Sequence, residues 1–168
     1  MFRTARSSRR RWWAIGPEWQ LVATADFNGD GTTDLLWRRS SDQMLRIDDM
    51  QNNQDVTNQQ IGQVGAEWRV VGTGDFSDPH TTGILFQRGD GALMVDDVVD
   101  NQVTSSTIVG QLADGWRLSN IGDTDGDGID ALVLRNTAGV VAVAHIANHQ
   151  LGPPLPLGPV GLEWTLFA

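Results

Sequence analysis

The sequence predicts an all-β fold made of repeated small antiparallel sheets, and three observations carry that prediction. Tryptophans at 19, 68, 116 and 164 recur at spacings of 49, 48 and 48 residues. Each closes a similar lead-in: IGPEW, VGAEW, LADGW and VGLEW. The acids are almost all aspartate, with glutamate only at Glu18, Glu67 and Glu163, and 19 glycines accompany them. Such a balance favours turns over helices.

Each repeat offers the same elements in the same order. An apolar run starts at the tryptophan, and an aspartate follows seven residues later at Asp26, Asp75 and Asp123, opening a turn-rich loop. A second run comes next: DLLWRR from Asp34, GILFQR from Gly83 and ALVLRN from Ala131. A third run, MLRIDDM, LMVDDVV or VAVAHIA, leads to a polar NNQ, DNQ or NHQ turn. Short β-rich runs bounded by Gly, Asp and Asn read as strands. No window sustains the i, i+3, i+4, i+7 apolar spacing of a helix. Each unit offers three or four such β-rich runs, and units of about 40 to 50 residues with four strands are the signature of β-propeller blades, so about three four-stranded repeats are expected, a stack of sheets in a solenoid being the alternative.

The expected organisation is an Arg-rich disordered head at 1–11 and the lead-in of an incomplete repeat at 12–18. Three repeats follow at 19–67, 68–115 and 116–163, and an incomplete fourth starts at 164–168. Closed propellers have about four to eight blades. Three repeats therefore predict a partial propeller, either a fragment of a longer parent chain or a piece that self-associates to complete a ring.

Charge narrows the partners. Five of the twelve basic residues lie in the first eleven positions, which leaves seven against twenty-one acids and a charge of −14 on the rest. An acidic body repels phosphate backbones and anionic lipid, so nucleic acid is not an expected partner. No apolar run has the length of a membrane span, and the start MFRTARSSRRRWW lacks the apolar stretch of a signal peptide, so neither membrane insertion nor a leader is expected in this chain. Cysteine, lysine and tyrosine are absent, which excludes disulfides, Schiff-base lysines and phenolic acids.

The loop DFNGDGTTD poses the main chemical question. Carboxylates held about 4 Å apart repel by roughly 4 kcal/mol per pair at an effective dielectric near 20, so gathering them calls for a cation or generous hydration. Asp26, Asn28, Asp30 and Asp34 fall at loop positions 1, 3, 5 and 9, Thr32 at position 7 offers a backbone carbonyl, and Gly31 permits the bend. Alternate oxygen ligands of this kind suit Ca²⁺, with Mg²⁺ the stricter alternative and an Asx-turn cluster without metal the bland one. Position 12 is Trp37, which excludes an EF-hand. The third loop keeps Asp123, Asp125 and Asp127 at positions 1, 3 and 5 with Ile129 at 7, but has Ala131 at 9 and Asp130 one residue early, so weaker binding is expected there. The second, DFSDPHTTG, has Pro79 and Gly83 in the acidic places and reads as metal-free.

The stretch WQLVATADFNGDGTTDLLWRR resembles the FG-GAP or VCBS class of repeats, whose units carry the pattern W-x-V-x-G-x-G-D-F-N-G-D-G-x-x-D-L-L-W-R. IDDMQNNQ, VDDVVDNQ and LGPVGLEW are similar to tandem units of large, secreted, rhizobial-type bacterial proteins. The resemblance implies a propeller-like fold with calcium in the aspartate loops, as in integrin α-subunit heads and bacterial surface proteins. It implies no particular ligand.

Two further features suggest an enzyme and are read otherwise. Asp48 with Asp49, and Asp96 with Asp97, could be glycosidase carboxylates. They recur at the repeat period, however, and the third repeat has Ala144 and His145 there, which points to an architectural place. His80, His145 and His149 read as surface histidines, and the periodic tryptophans as core between blades. The expected function is non-catalytic: extracellular or cell-surface binding or adhesion, with a protein or glycan ligand. The alternative is an accessory or catalytic part of a secreted carbohydrate-active enzyme.

Overall fold

A computed structural model describes residues 15–79, 81–161 and 163. The Arg-rich head, Trp12, Trp13, His80 and the 164–168 segment with Trp164 lie outside the described residues. What is described is all β, in three antiparallel meanders. The first contains β1 (Trp19–Ala25), β2 (Asp34–Arg39), β3 (Met44–Gln51) and β4 (Gln54–Gln63). The second contains β5 (Trp68–Gly74), β6 (Thr82–Arg88), β7 (Ala92–Val99) and β8 (Gln102–Gln111). The third contains β9 (Trp116–Gly122), β10 (Ala131–Asn136) and β11 (Val140–Ala147), with its fourth place shared by β12 (Gln150–Leu151) and β13 (Leu155–Pro159). Between β12 and β13 stand Pro153 and Pro154, which have no N–H to give a ladder.

Turn chemistry sets the registers. The third and fourth strands of the sheets join through Asn52-Asn53, Asp100-Asn101 and Asn148-His149, whose φ angles all lie between 49° and 59°. Two successive residues at positive φ make type I′ turns, whose twist matches that of the flanking strands. Asn and Asp tolerate this conformation better than other non-glycine residues, which accounts for the polar turns of the repeat. Ten residues further on, Gly62, Gly110 and Gly158 (φ 132°, 155° and 137°) coincide with a register shift in the fourth strand or its β13 counterpart.

The sheets stack as propeller blades. β1 lies against β5 and β5 against β9, while β4 approaches β8 and β8 approaches β12. A core forms in each gap. Leu36, Leu45 and Ile47 of the first sheet meet Trp68, Ile84, Phe86 and Val98 of the second. Leu85, Leu93 and Val95 of the second meet Leu132, Leu134, Ala144 and Ile146 of the third. Successive strand residues point to opposite faces, so Ile84 and Phe86 serve one core and Leu85 the other. This two-sided burial is why GILFQR is almost unbroken apolar sequence. Trp68 is buried in the first core and Trp116 packs against the second, but Trp19 joins neither, its ring lying under the guanidinium groups of Arg39 and Arg46.

Polar contacts reinforce the stack. Arg38 donates to the carbonyls of Val64, Gly65 and Trp68 in the lead-in of the second sheet. Arg135 donates in the same way to Val160 and Gly161. The Thr82 hydroxyl donates to the Asp26 carbonyl at 2.8 Å, and the Asn101 N–H to the Phe27 carbonyl at 3.1 Å.

Phe27 and Phe76 follow the first aspartate of their loops and are each 1% exposed. Phe76 explains Gly83: a Cβ there would stand 2.7 Å from its ring. Phe76→Ala should cost about 3–5 kcal/mol of stability, as read from urea unfolding. A loss under about 1 kcal/mol would contradict its burial in the second core.

Candidate functional site

The aspartate loops join the first two strands of the sheets at one end of the stack. In the first, Asp26 organises the bend. Its Oδ1 accepts the N–H groups of Gly29 (2.7 Å) and Asp30 (3.2 Å), and its Oδ2 that of Gly31 (2.7 Å). Asn28 accepts from the Asp30 N–H at 3.0 Å. Asp30 accepts the Thr32 N–H at 2.8 Å, and the Thr32 hydroxyl lies 2.6 Å from both Asp30 Oδ1 and the Met50 carbonyl, donating its one proton to either.

Asp34 stands apart from this group. It is fully buried, with Oδ2 accepting the Phe27 N–H and Oδ1 the Met50 N–H, both at 3.0 Å. Burial pushes its carboxyl above the ordinary aspartate value, against the pull of those two donors. Its carboxylate therefore ties the start of the loop to the end of β3. Sequence reasoning counted it as a ninth-position ligand beside Asp26, Asn28, Asp30 and the Thr32 carbonyl. The signal for its inward place was present: Asp34 is two residues from Leu36, hence on the face of β2 that enters the core.

The third loop converges its acids. Asp123 Oδ1 accepts from Asp125 (3.3 Å) and Gly126 (2.7 Å), and Oδ2 from Gly128 (3.0 Å). These backbone donors, Gly126 first, hold its carboxyl below the usual range. Asp127 accepts the Ile129 N–H at 2.8 Å. Asp123, Asp125 and Asp127 are exposed, and one oxygen of each lies within 4.8 Å of the other two. Oxygens bound to one Ca²⁺ at 2.3–2.6 Å can be no more than about 5 Å apart, so the three fit a shared ion. Among the described residues this is the acidic group so arranged, although the sequence ranked the first loop above it.

Asp130 serves a different purpose. Its Oδ2 accepts the Asp75 N–H at 2.9 Å, and its own N–H donates to the Asp75 carbonyl at 2.8 Å, which clips the third loop to the second. In that second loop Ser77 reaches Asp97 at 3.3 Å.

The paired acids are built into the sheets. Asp48 and Asp96 are 1% and 4% exposed. Asp48 is held by Arg46, Asp96 accepts from Ser106 at 2.5 Å, and Asp97 accepts from Ser105 at 2.6 Å. Both serines lie opposite these acids in the β7–β8 register, and His149 approaches Asp97 at 3.7 Å. Burial raises the Asp96 carboxyl, with a smaller contribution from Asp97.

A family model described as FG-GAP repeat matches residues 19–43. The match runs through β1, the first aspartate loop and β2 to the turn before β3, so this repeat is of FG-GAP type. The three sheets are blades of the kind that build β-propellers. No curated protein and no solved structure matches the chain. Among the described residues no helix is long and apolar enough to cross a membrane.

The buried acids give a pH signature. The fold holds protons on Asp34 and Asp96 more tightly than the unfolded chain does. Their contribution to stability is thus complete below the ordinary value of 3.8 and is lost as pH rises through the raised folded-state values. Asp96→Asn, which keeps an acceptor for Ser106, should therefore gain in melting temperature relative to the parent chain, measured in chelator, as pH rises above 3.8. An identical slope in the variant would refute the assignment.

Proposed function

We propose that the chain is a non-catalytic, calcium-binding module of β-propeller blades that serves binding or adhesion outside the cell. The observation that carries this reading is the convergence of Asp123, Asp125 and Asp127 to within 4.8 Å. The donor set is hard oxygen throughout, which suits Ca²⁺ and disfavours zinc or copper. In the third loop the Ile129 carbonyl would complete the set. In the first, Asp26, Asn28, Asp30 and the Thr32 carbonyl would hold the ion, and Asp34 would brace the loop from beneath.

An ion in such a loop relieves carboxylate repulsion and stiffens the connection between the first two strands of a blade. A modest site of this type would be saturated at extracellular calcium levels and not at cytosolic ones, which supports an exported parent protein. The FG-GAP match and the resemblance of the repeats to those of secreted bacterial proteins support the same location. Protein and glycan are both ligands of the right class. Further blades, from a second copy or a longer parent chain, would complete the ring.

Calcium should raise the melting temperature, by about 2.7 kcal/mol of added stability when its concentration is a hundred times the dissociation constant. Asp127→Ala should remove most of the gain assigned to the third loop, and Asp30→Ala that of the first. A melt identical in calcium and in chelator would overturn the proposal.

A further inference from the structure

The repeat is broken in two ways at one lead-in, and both breaks fall on Trp116. At the first blade Arg38, opposite Leu45 in the register, donates to the Val64, Gly65 and Trp68 carbonyls of the following lead-in. At the third, Arg135, opposite Val141, does the same to Val160 and Gly161. The same register place in the second blade, opposite Leu93, is Gln87. The lead-in that Gln87 should hold is Leu112 to Trp116.

The second break concerns the indole ring itself. Trp19 pairs with Arg39 and Trp68 with Arg88, and in each case the guanidinium lies over the ring, at 4.9 and 5.0 Å from the centroid. Trp116 pairs with Asn136, whose side chain instead accepts the N–H groups of Ala138 and Val140. One lead-in therefore lacks both the arginine that binds its carbonyls and the arginine that stacks on its tryptophan.

A cleft of about 510 Å³ opens at this place, lined by Gln87, Ala113, Asp114, Trp116 and Glu67. Arg88 and Asp90 line it too but are engaged with each other at 2.7 Å, Asp90 being held at about 2 by that hydrogen bond. Setting that pair aside, the charged lining is Glu67, Asp114 and Arg69, a balance of one negative charge. The planar fork of a guanidinium can donate to several carbonyls and a carboxylate together, as Arg38 does to three carbonyls, which an ammonium cannot match.

We propose that this cleft receives an arginine side chain of a partner protein, its guanidinium taking beside Trp116 the carbonyl-bound place that Arg38 and Arg135 fill elsewhere. The inference rests on the reading of the chain as a binding module and names the chemistry of its partner. It is independent of calcium.

The test is a titration of the full chain with N-acetyl-L-arginine amide, followed through the indole N–H signal of Trp116, which Trp116→Phe identifies. The expected result is a saturable shift, with the lysine analogue binding at least tenfold more weakly. Gln87→Arg should fill the cleft from within and weaken binding at least tenfold, with the melting temperature unchanged or raised. Should that variant fail to fold, Asp114→Asn, which removes a carboxylate from the cleft lining, is expected to weaken binding several-fold. Absence of a saturable shift, equal binding by the lysine analogue, or undiminished binding by the filled variant would overturn the assignment. None of those results would alter the calcium-dependent melt, so failure here is distinguishable from failure of the module reading.

Discussion

The structure depends on burying both faces of a narrow sheet. Four short strands cannot sequester enough apolar surface alone, because a lone sheet leaves both faces in water. The middle blade solves this by carrying alternate residues into two cores, Ile84 and Phe86 toward one neighbour and Leu85 toward the other. Every other feature serves that stacking. The turns fix the registers that present these side chains, and the arginines at 38 and 135 bind the chain to the lead-in that follows.

The aspartate loops take part in the same construction. Asp34 lies beneath its loop and joins Phe27 to Met50 within one blade, whereas Asp130 joins the third loop to Asp75 of the second. The first and third loops thus divide their acids between two tasks. Those nearest the loop's start arrange the exposed bend, and one near its end accepts backbone N–H from residues outside that bend. The third loop has moved the second task from position 9 to position 8, which leaves Asp123, Asp125 and Asp127 to face one another in solvent.

Much of this was legible in the sequence. The first three strands of each blade carry apolar runs at a fixed period, and the NNQ, DNQ and NHQ turns mark residues at positive φ. Less legible was the fourth strand. QDVTNQQIGQ in β4 and QVTSSTIVGQ in β8 are mostly polar because one side of an outermost strand meets water, so hydrophobic pattern alone gives it little weight. The backbone bonds of Asp34 to Phe27 and Met50 were not legible, because spacing along a loop does not tell which N–H groups a buried carboxylate meets. The lead-in cleft was hidden for another reason: Gln87 and Asn136 are unremarkable polar residues until the strand register places them where their counterparts are arginines.

The divided outer strand of the third blade has a consequence for association. β13 leaves Leu155 and Leu157 59% and 70% exposed on a sheet margin, the kind of apolar ribbon on which chains polymerise. Pro153, Pro154, Pro156 and Pro159 remove the donors that an incoming strand would need at four places within seven residues. The margin can stay greasy without becoming a template for fibrils.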